Sequence, residues 1–214
     1  MTTDLSALRR DYSRRPLNES DCDADPLRQF QKWLDEALSV DGMIEPNAMS
    51  LATATREGVP SVRMVLLKGF DERGFRFFTN YESRKAAELE ANPRAALCIW
   101  WGALERQVRI EGTIERTTTE ESDEYFHSRP WYSQIGAAAS RQSHPIARRE
   151  ELEQRTLALV ARHANQKVPR PDTWGGYRVW PSRIEFWQGR ESRLHDRIVY
   201  EREAESWRIT RLQP

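Results

Sequence analysis

The sequence predicts an α+β protein in which antiparallel strands close, or nearly close, into a barrel, with helices at the ends of the chain and in one central insertion. Two observations predict it. Short runs rich in β-branched and aromatic residues recur along the chain, and several are joined by tight turns such as Arg56-Glu57-Gly58 and Asp71-Glu72-Arg73-Gly74. Connections that short permit only antiparallel pairing, and seven or more strands joined this way favour closure. Helical spacing of apolar residues is confined to residues 26–39, 83–90 and most of 119–163, so helices and strands are segregated.

Residues 1–25 combine Arg9-Arg10-Asp11-Tyr12, Arg14-Arg15-Pro16 and an acidic stretch. That composition predicts a mobile N-terminal arm ahead of one domain over residues 26–214. Phe30, Trp33, Leu34, Ala37 and Leu38 recur at helical spacing, so residues 26–39 read as an amphipathic helix with Pro26 in its first turn. Strands follow at 48–54, 61–69 and 75–79. Ser83 caps a short helix that Asn92-Pro93 stops. Residues 94–101 and 107–115 are two further strands. Residues 119–163 are mostly helical, broken at Pro130 and Pro145. Residues 164–176 read as a Pro/Gly-rich link, and strands at 177–180, 183–187, 197–201 and 206–212 complete the chain.

The totals exclude several classes. Lys+Arg and Asp+Glu both number 33, so the basic excess of a sequence-blind nucleic-acid binder is missing. Mean hydropathy is −0.79, and no apolar run approaches the ~20 residues of a membrane span. The start, Met1-Thr2-Thr3-Asp4, has no apolar signal core. Cys22 and Cys98 are far apart and form no Cys-x-x-Cys pair. Neither a disulfide framework nor a metal site is indicated, and a cytoplasmic protein is expected. There is no Gly-x-Gly-x-x-Gly and no Walker loop, so a flavin here would be FMN rather than FAD.

Four groups of residues could carry chemistry. In Arg63-Met64-Val65-Leu66-Leu67-Lys68 the two cations have opposite strand parity. They share a ligand only if the strand twists, bulges or ends near Lys68; otherwise they cap a core strand as two surface charges. Arg84 and Lys85 follow a helix N-cap, where cations are mildly unfavourable unless an anion sits at the helix N-terminus. Tyr125 and Arg129 are four apart on one helix face, and with Ser133 they suit a phosphate, since arginine offers a fork of donors. Finally, Arg193, His195 and Arg197 would line one side of a strand beside Phe186 and Trp187. Cations in such a row repel unless an anionic or electron-rich group lies between them. Gln107, Gln142 and Ser143 are neutral hydrogen-bonding groups that say little singly. Each set also has a bland reading, as core strand, solvated helix turn, helix-end cluster or solvated edge strand.

Taken in series, these stretches resemble pyridoxine/pyridoxamine 5′-phosphate oxidases. The resemblance rests on Arg63 to Lys68, Phe78-Thr79-Asn80, Ser83-Arg84-Lys85, Leu104-Glu105-Arg106-Gln107-Val108, Tyr125 to Pro130, Ser133-Gln134-Ile135-Gly136, Trp174-Gly175-Gly176, Glu185-Phe186-Trp187-Gln188-Gly189 and Arg193-Leu194-His195-Asp196-Arg197, in that family's order. It implies a split β-barrel homodimer with FMN at the subunit interface. The implied FMN contacts are Arg63, Met64, Val65, Leu66, Leu67, Lys68, Phe78, Thr79, Arg84, Lys85, Gln107, Gln142, Ser143, Trp187 and Arg197. The implied substrate contacts are Lys68, Tyr125, Arg129, Ser133, Arg193, Leu194 and His195, with Arg9, Arg10, Asp11 and Tyr12 in an arm that folds over the occupied site. Arg193 and His195 are the implied catalytic pair. The implied reaction is oxidation of pyridoxamine or pyridoxine 5′-phosphate to pyridoxal 5′-phosphate, with O2 as electron acceptor. Another split-barrel flavin reductase, or a carrier of FMN or pyridoxal phosphate without activity, are the rival readings. Glu45 before Pro46 departs from the pattern, where Asp is expected.

Overall fold

The computed structural model describes residues 3–5, 11–13, 15–164 and 166–214. Among them are nine strands: β1 (Ala48–Ala54), β2 (Pro60–Leu66), β3 (Gly69–Asp71), β4 (Gly74–Asn80), β5 (Arg94–Trp101), β6 (Arg106–Arg116), β7 (Trp174–Gln188), β8 (Asp196–Glu203) and β9 (Ser206–Leu212). Five α-helices accompany them: α1 (Pro26–Leu38), α2 (Arg84–Ala91), α3 (Thr119–Ser128), α4 (Trp131–Ala139) and α5 (Arg149–Arg162). The strand order is β2-β1-β5-β6-β7-β4-β3, with β8 on β7 and β9 on β8. The β3–β4, β4–β7, β7–β8 and β8–β9 pairs are all antiparallel, so the α+β class and the antiparallel sheet hold. The chain divides into two compact units. One comprises residues 1–50, 96–111 and 181–214, the other residues 51–95 and 112–180.

In the first unit, Asp25 caps α1 by accepting from Leu27 N at 2.9 Å, and Pro26 occupies the first helical position, where its missing N–H costs nothing. Phe30, Trp33 and Ala37 form the buried stripe, while Leu34, expected in it, is half-buried and Leu38, at the helix end, is exposed. Trp33 meets Phe186 edge-on at 5.1 Å, and the Arg106 guanidinium lies 4.4 Å over the Trp33 ring. Ile198, Val199 and Tyr200 of β8 complete this core. Each such side chain contributes about 1.5–3 kcal/mol by leaving water. The arm expected over residues 1–25 is packed from Leu17 onward. Leu17 is buried, its N–H donates to Asp196 Oδ2 at 3.0 Å, Glu19 takes both ends of the Arg211 guanidinium at 2.8 Å, and Tyr200 Oη donates to Asp23 O. Composition missed this because one apolar residue and one charge pair suffice to tie down a polar segment. Arg9 and Arg10 lie outside the described residues.

In the second unit, β4 buries Phe75 and Phe77 completely and pairs with β7 from Phe75↔Val179 to Asn80↔Trp174. Trp174-Gly175-Gly176, expected in the preceding link, is therefore strand. β7 is also one strand where two were expected. Pro181 does not break it, because the residue falls between the β4-paired stretch ending at Val179 and the β8-paired stretch starting at Arg183, where no β4 or β8 ladder bond needs its missing N–H. Phe126, Ile135, Val168 and Trp174 form a core cluster under α3, α4 and α5. Ser83 caps α2 through Ala86 N, and Thr118 and Glu121 form a reciprocal capping box on α3. β2 stops at Leu66 and β3 begins at Gly69, so Lys68 lies between strands. Among the described residues no helix is long and apolar enough to cross a membrane.

Candidate functional site

A cavity of about 310 Å³ opens in the second unit, lined by Arg63, Met64, Val65, Leu66, Lys68, Phe78, Thr79, Lys85, Tyr125, Arg129, Gln142 and Trp174. Four of the twelve are cations and none is a carboxylate. Arg63 and Lys68 both line the cavity despite opposite parity: residues 63–66 of β2 all line it, and Lys68 follows just beyond the strand's end.

One wall is aromatic. Phe78 stacks on Tyr125 at 4.1 Å and on Trp174 at 5.7 Å between ring centres. A Cβ on Gly176 would lie 2.7 Å from the Phe78 ring, so glycine at this point of β7 is what lets Phe78 seat against the strand. Lys68 Nζ sits 5.9 Å from the Tyr125 centroid, and the Arg129 guanidinium 4.8 Å from that of Trp174. Arg129 Nη1 is buried and has no hydrogen-bond partner among the described residues. A buried donor left unmet costs about 1–3 kcal/mol, a cost that an anion in the cavity would remove. Burial also lowers the Arg129 pKa from its ordinary value.

The polar floor belongs to Lys85. Its Nζ donates to Gln142 Oε1 at 2.7 Å and to Thr79 Oγ1 at 3.1 Å, and Thr79 Oγ1 donates to the same Gln142 oxygen at 2.9 Å. Burial, with the nearby Arg63 charge, pulls the Lys85 pKa down to about 8. Among the described residues no carboxylate pairs with it, so an anion in the cavity would stabilise its charged form.

Arg63 is held by the Leu51 carbonyl at 3.0 Å, Thr53 Oγ1 at 2.6 Å, Ser61 Oγ and Glu88 Oε2 at 3.3 Å. Glu88, on α2, also receives the hydroxyls of Thr53 and Ser61 and the Arg84 Nε at 2.8 Å. Burial opposes its ionisation, but these donors win and hold its pKa at about 2. Glu88 went unnoticed in the sequence, since only the fold brings β1, β2 and α2 together around it. Trp174 belongs to a family motif in the sequence, and only the fold brings it to the cavity.

Several expected residues lie off the cavity. Leu67 is core, Arg84 is largely exposed on its pair with Glu88, Ser143 is exposed with φ +69°, and Ser133 sits in the first turn of α4 without lining the cavity.

The remaining predicted residues belong to the first unit. Tyr12 packs edge-on against Trp187 at 5.8 Å and His195 at 5.6 Å, and Trp187 lies 4.5 Å from His195. His195 Nδ1 accepts from Arg190 N at 3.1 Å, which leaves the ring proton on Nε2. Burial first, then Arg193, hold the His195 pKa below its ordinary value against Asp196, so the ring is neutral near pH 7. The expected alternation of Arg193, His195 and Arg197 on one strand face does not hold. Residues Glu191–Arg193 form a 3-10 turn with Ser192 and Arg193 at φ +54° and +61°, and β8 starts only at Asp196. Arg193 and Leu194 are exposed. Asp11 is exposed and Gln107 half-buried on β6. Arg197 grips Glu185, which is only 1% exposed, through Nε at 2.8 Å and Nη2 at 3.1 Å. The anion that the arginine run called for is thus in part a buried side chain.

Comparison with known proteins agrees with this geometry. A family model described as pyridoxamine 5′-phosphate oxidase matches residues 35–161, and one described as the pyridoxine 5′-phosphate oxidase C-terminal dimerisation region matches residues 174–214. The chain is 63% identical over 211 residues to the pyridoxine/pyridoxamine 5′-phosphate oxidase of Rubrobacter xylanophilus, covering 99% of this chain and 97% of that one. It is 53% identical to the oxidase of the same name from Cyanothece sp., over all of both chains. Among solved structures, PhzG from Burkholderia lata 383 in complex with tetrahydrophenazine-1-carboxylic acid superposes with a TM-score of 0.86 at 34% identity, covering 91% of this chain and 95% of that one. The antiparallel sheet is thereby that of a split barrel, and the chain belongs to the pyridoxamine 5′-phosphate oxidase family of oxidoreductases.

Proposed function

We propose that the chain oxidises pyridoxine 5′-phosphate to pyridoxal 5′-phosphate, and pyridoxamine 5′-phosphate with water to pyridoxal 5′-phosphate and ammonia, using FMN and O2 and releasing H2O2, as a cytoplasmic homodimer. The observation that carries the reading is the cavity itself: four cations and no carboxylate on an aromatic wall, with one buried guanidinium N–H unmet. That donor set fits phosphate esters attached to flat rings. Family membership supports the reaction, the matched dimerisation region supports the homodimer, and the free thiols of Cys22 and Cys98 suit a reducing compartment.

Arg63, Lys85 and the N-terminus of α2 would hold the FMN phosphate, with Thr79 and Gln142 fixing the Lys85 ammonium. Met64, Val65 and Leu66 would flank the ring system. Lys68, Tyr125 and Arg129 would clamp the substrate phosphate, and the Phe78–Tyr125–Trp174 stack excludes water beside it. When bound, FMN supplies the redox chemistry, accepting a hydride from the substrate C4′ carbon and passing electrons to O2. The protein supplies position, which is worth up to several kcal/mol. Arg193 would hold the polar edge of the substrate ring, and neutral His195 would offer Nε2–H to it as a hydrogen-bond donor.

The test is direct. Purified protein should carry a visible flavin spectrum and release peroxide on addition of pyridoxamine 5′-phosphate. Flavin without peroxide would favour the carrier reading, and flavin reduced only by an external nicotinamide would favour the reductase.

A further inference from the structure

Within the second unit, away from the cavity lining, lies a charge cluster that the proposed reaction does not use. Arg178 of β7 is 1% exposed and stands directly opposite Arg76 of β4 in the strand register. Like charges facing each other across a sheet destabilise it. Carboxylates offset the conflict: Glu121 Oε1, on the first turn of α3, accepts from Arg178 at 2.5 Å, Arg73 at 2.9 Å and Arg76 at 3.4 Å, and Glu115 Oε1 lies 3.4 Å from Arg178 Nε. Arg178 Nη1 reaches on to Asp71 Oδ1 at 2.7 Å, at the end of β3.

The two elements bolted to this guanidinium are those that deliver the phosphate clamp. Tyr125 and Arg129 lie one and two turns beyond Glu121 along α3 and its C-terminal cap. Lys68 precedes β3, and its N–H donates to Arg76 O at 2.8 Å. The next residue, Gly69, has φ +152°, and a Cβ there would meet the Arg76 guanidinium at 2.8 Å. We infer that Glu121 and Arg178 are positioning residues: they set the distance between Lys68 on one side and Tyr125 with Arg129 on the other, and so the affinity for the substrate phosphate. The inference rests on the substrate reading proposed above. A buried ion cluster of this kind is weak evidence for stability alone, because desolvation offsets most of the attraction. Its two anchored ends give it a use.

The test uses the FMN-loaded full chain with Glu121→Gln and, from the β3 side, Asp71→Asn. Each should raise KM for pyridoxamine 5′-phosphate and the Kd for pyridoxal 5′-phosphate, read by its absorbance, by about tenfold, since misplacement of a clamp by 1 Å costs up to ~100-fold. Flavin content should stay at the wild-type level, because Arg63 and Lys85 lie on β2 and α2. In an Arg129→Ala background, Glu121→Gln should add less than about twofold, as residues acting through one another are non-additive. Unchanged KM and Kd, full additivity with Arg129→Ala, or loss of folded protein in both variants would each overturn the inference and leave a structural network. If wild-type protein neither turns over pyridoxamine 5′-phosphate nor binds pyridoxal 5′-phosphate, the functional reading fails instead.

Discussion

Lys85 Nζ donates to Gln142 Oε1 at 2.7 Å, joining α2 to the loop after α4 across 57 residues of sequence. The contact fixes an ammonium in a cavity with no lining carboxylate, and burial with the Arg63 charge lowers its pKa to about 8. An FMN phosphate prefers the protonated ammonium, so binding raises that pKa. Affinity for FMN should therefore be constant below pH 8 and fall as pH rises through it, approaching tenfold per unit. Flavin-fluorescence titrations of apoprotein between pH 6.5 and 9.5 check this. Lys85→Met should weaken binding at least ~10-fold at pH 7 and flatten the profile. The same slope in Lys85→Met would reassign the titrating group.

Glu88 is the anion under Arg63. Its folded pKa of about 2 lies below the ordinary 4.5. The depressed value means that its contribution to stability is complete above about pH 4.5 and disappears as pH falls from 4.5 toward 2. Glu88→Gln should cost about 3 kcal/mol at pH 7, the scale for breaking a buried charge cluster from one side. It should also flatten the loss of stability in that acid window. Urea melts at pH 7, 4 and 3 measure both, and parallel wild-type and variant curves would count against the assignment.

Arg193, His195 and Arg197 separate into different predictions now that they share no strand face. Arg193→Ala should raise KM with flavin content near normal, and His195→Ala should do so more weakly. Arg197→Ala strips the fork from Glu185, leaving that buried carboxylate with Arg183 at 3.3 Å and Arg109 at 3.6 Å. It should lower both Tm and bound flavin. A normal Tm and normal flavin in Arg197→Ala would show that Glu185 needs neither that pair nor a ligand beside it.

The proposed homodimer predicts a sedimenting species of twice the 25.1 kDa chain mass. Exposed apolar side chains are available to such an interface: Val62 and Met64 on the open edge strand β2, and Trp100 and Ile44 in the other unit. Trp101 is not among them, since it is buried and its Nε1 donates to Pro46 O at 2.8 Å. A monomer with full activity would contradict the prediction.

The α+β class, α1 with Pro26 in its first turn, the Ser83 cap of α2 and the breaks at Pro130 and Pro145 were all legible in the sequence. Each is decided within a few residues, by periodicity of 3.6 or 2, by a side chain that meets a backbone N–H nearby, or by a missing donor. The run of family motifs was legible too, because identity of residue type in order needs no geometry. What tertiary structure alone decided were the relations between distant segments. Pro181 stays inside β7 because the strand changes partners there. Arg63 and Lys68 line one cavity together with the β2 residues between them, of both parities. Arg197 meets Glu185, and Glu121 stands between two arginines facing each other across strands. In each case the deciding partner lies on another element, and the energy of a buried charge depends on where that partner is placed rather than on which residues are neighbours in the chain.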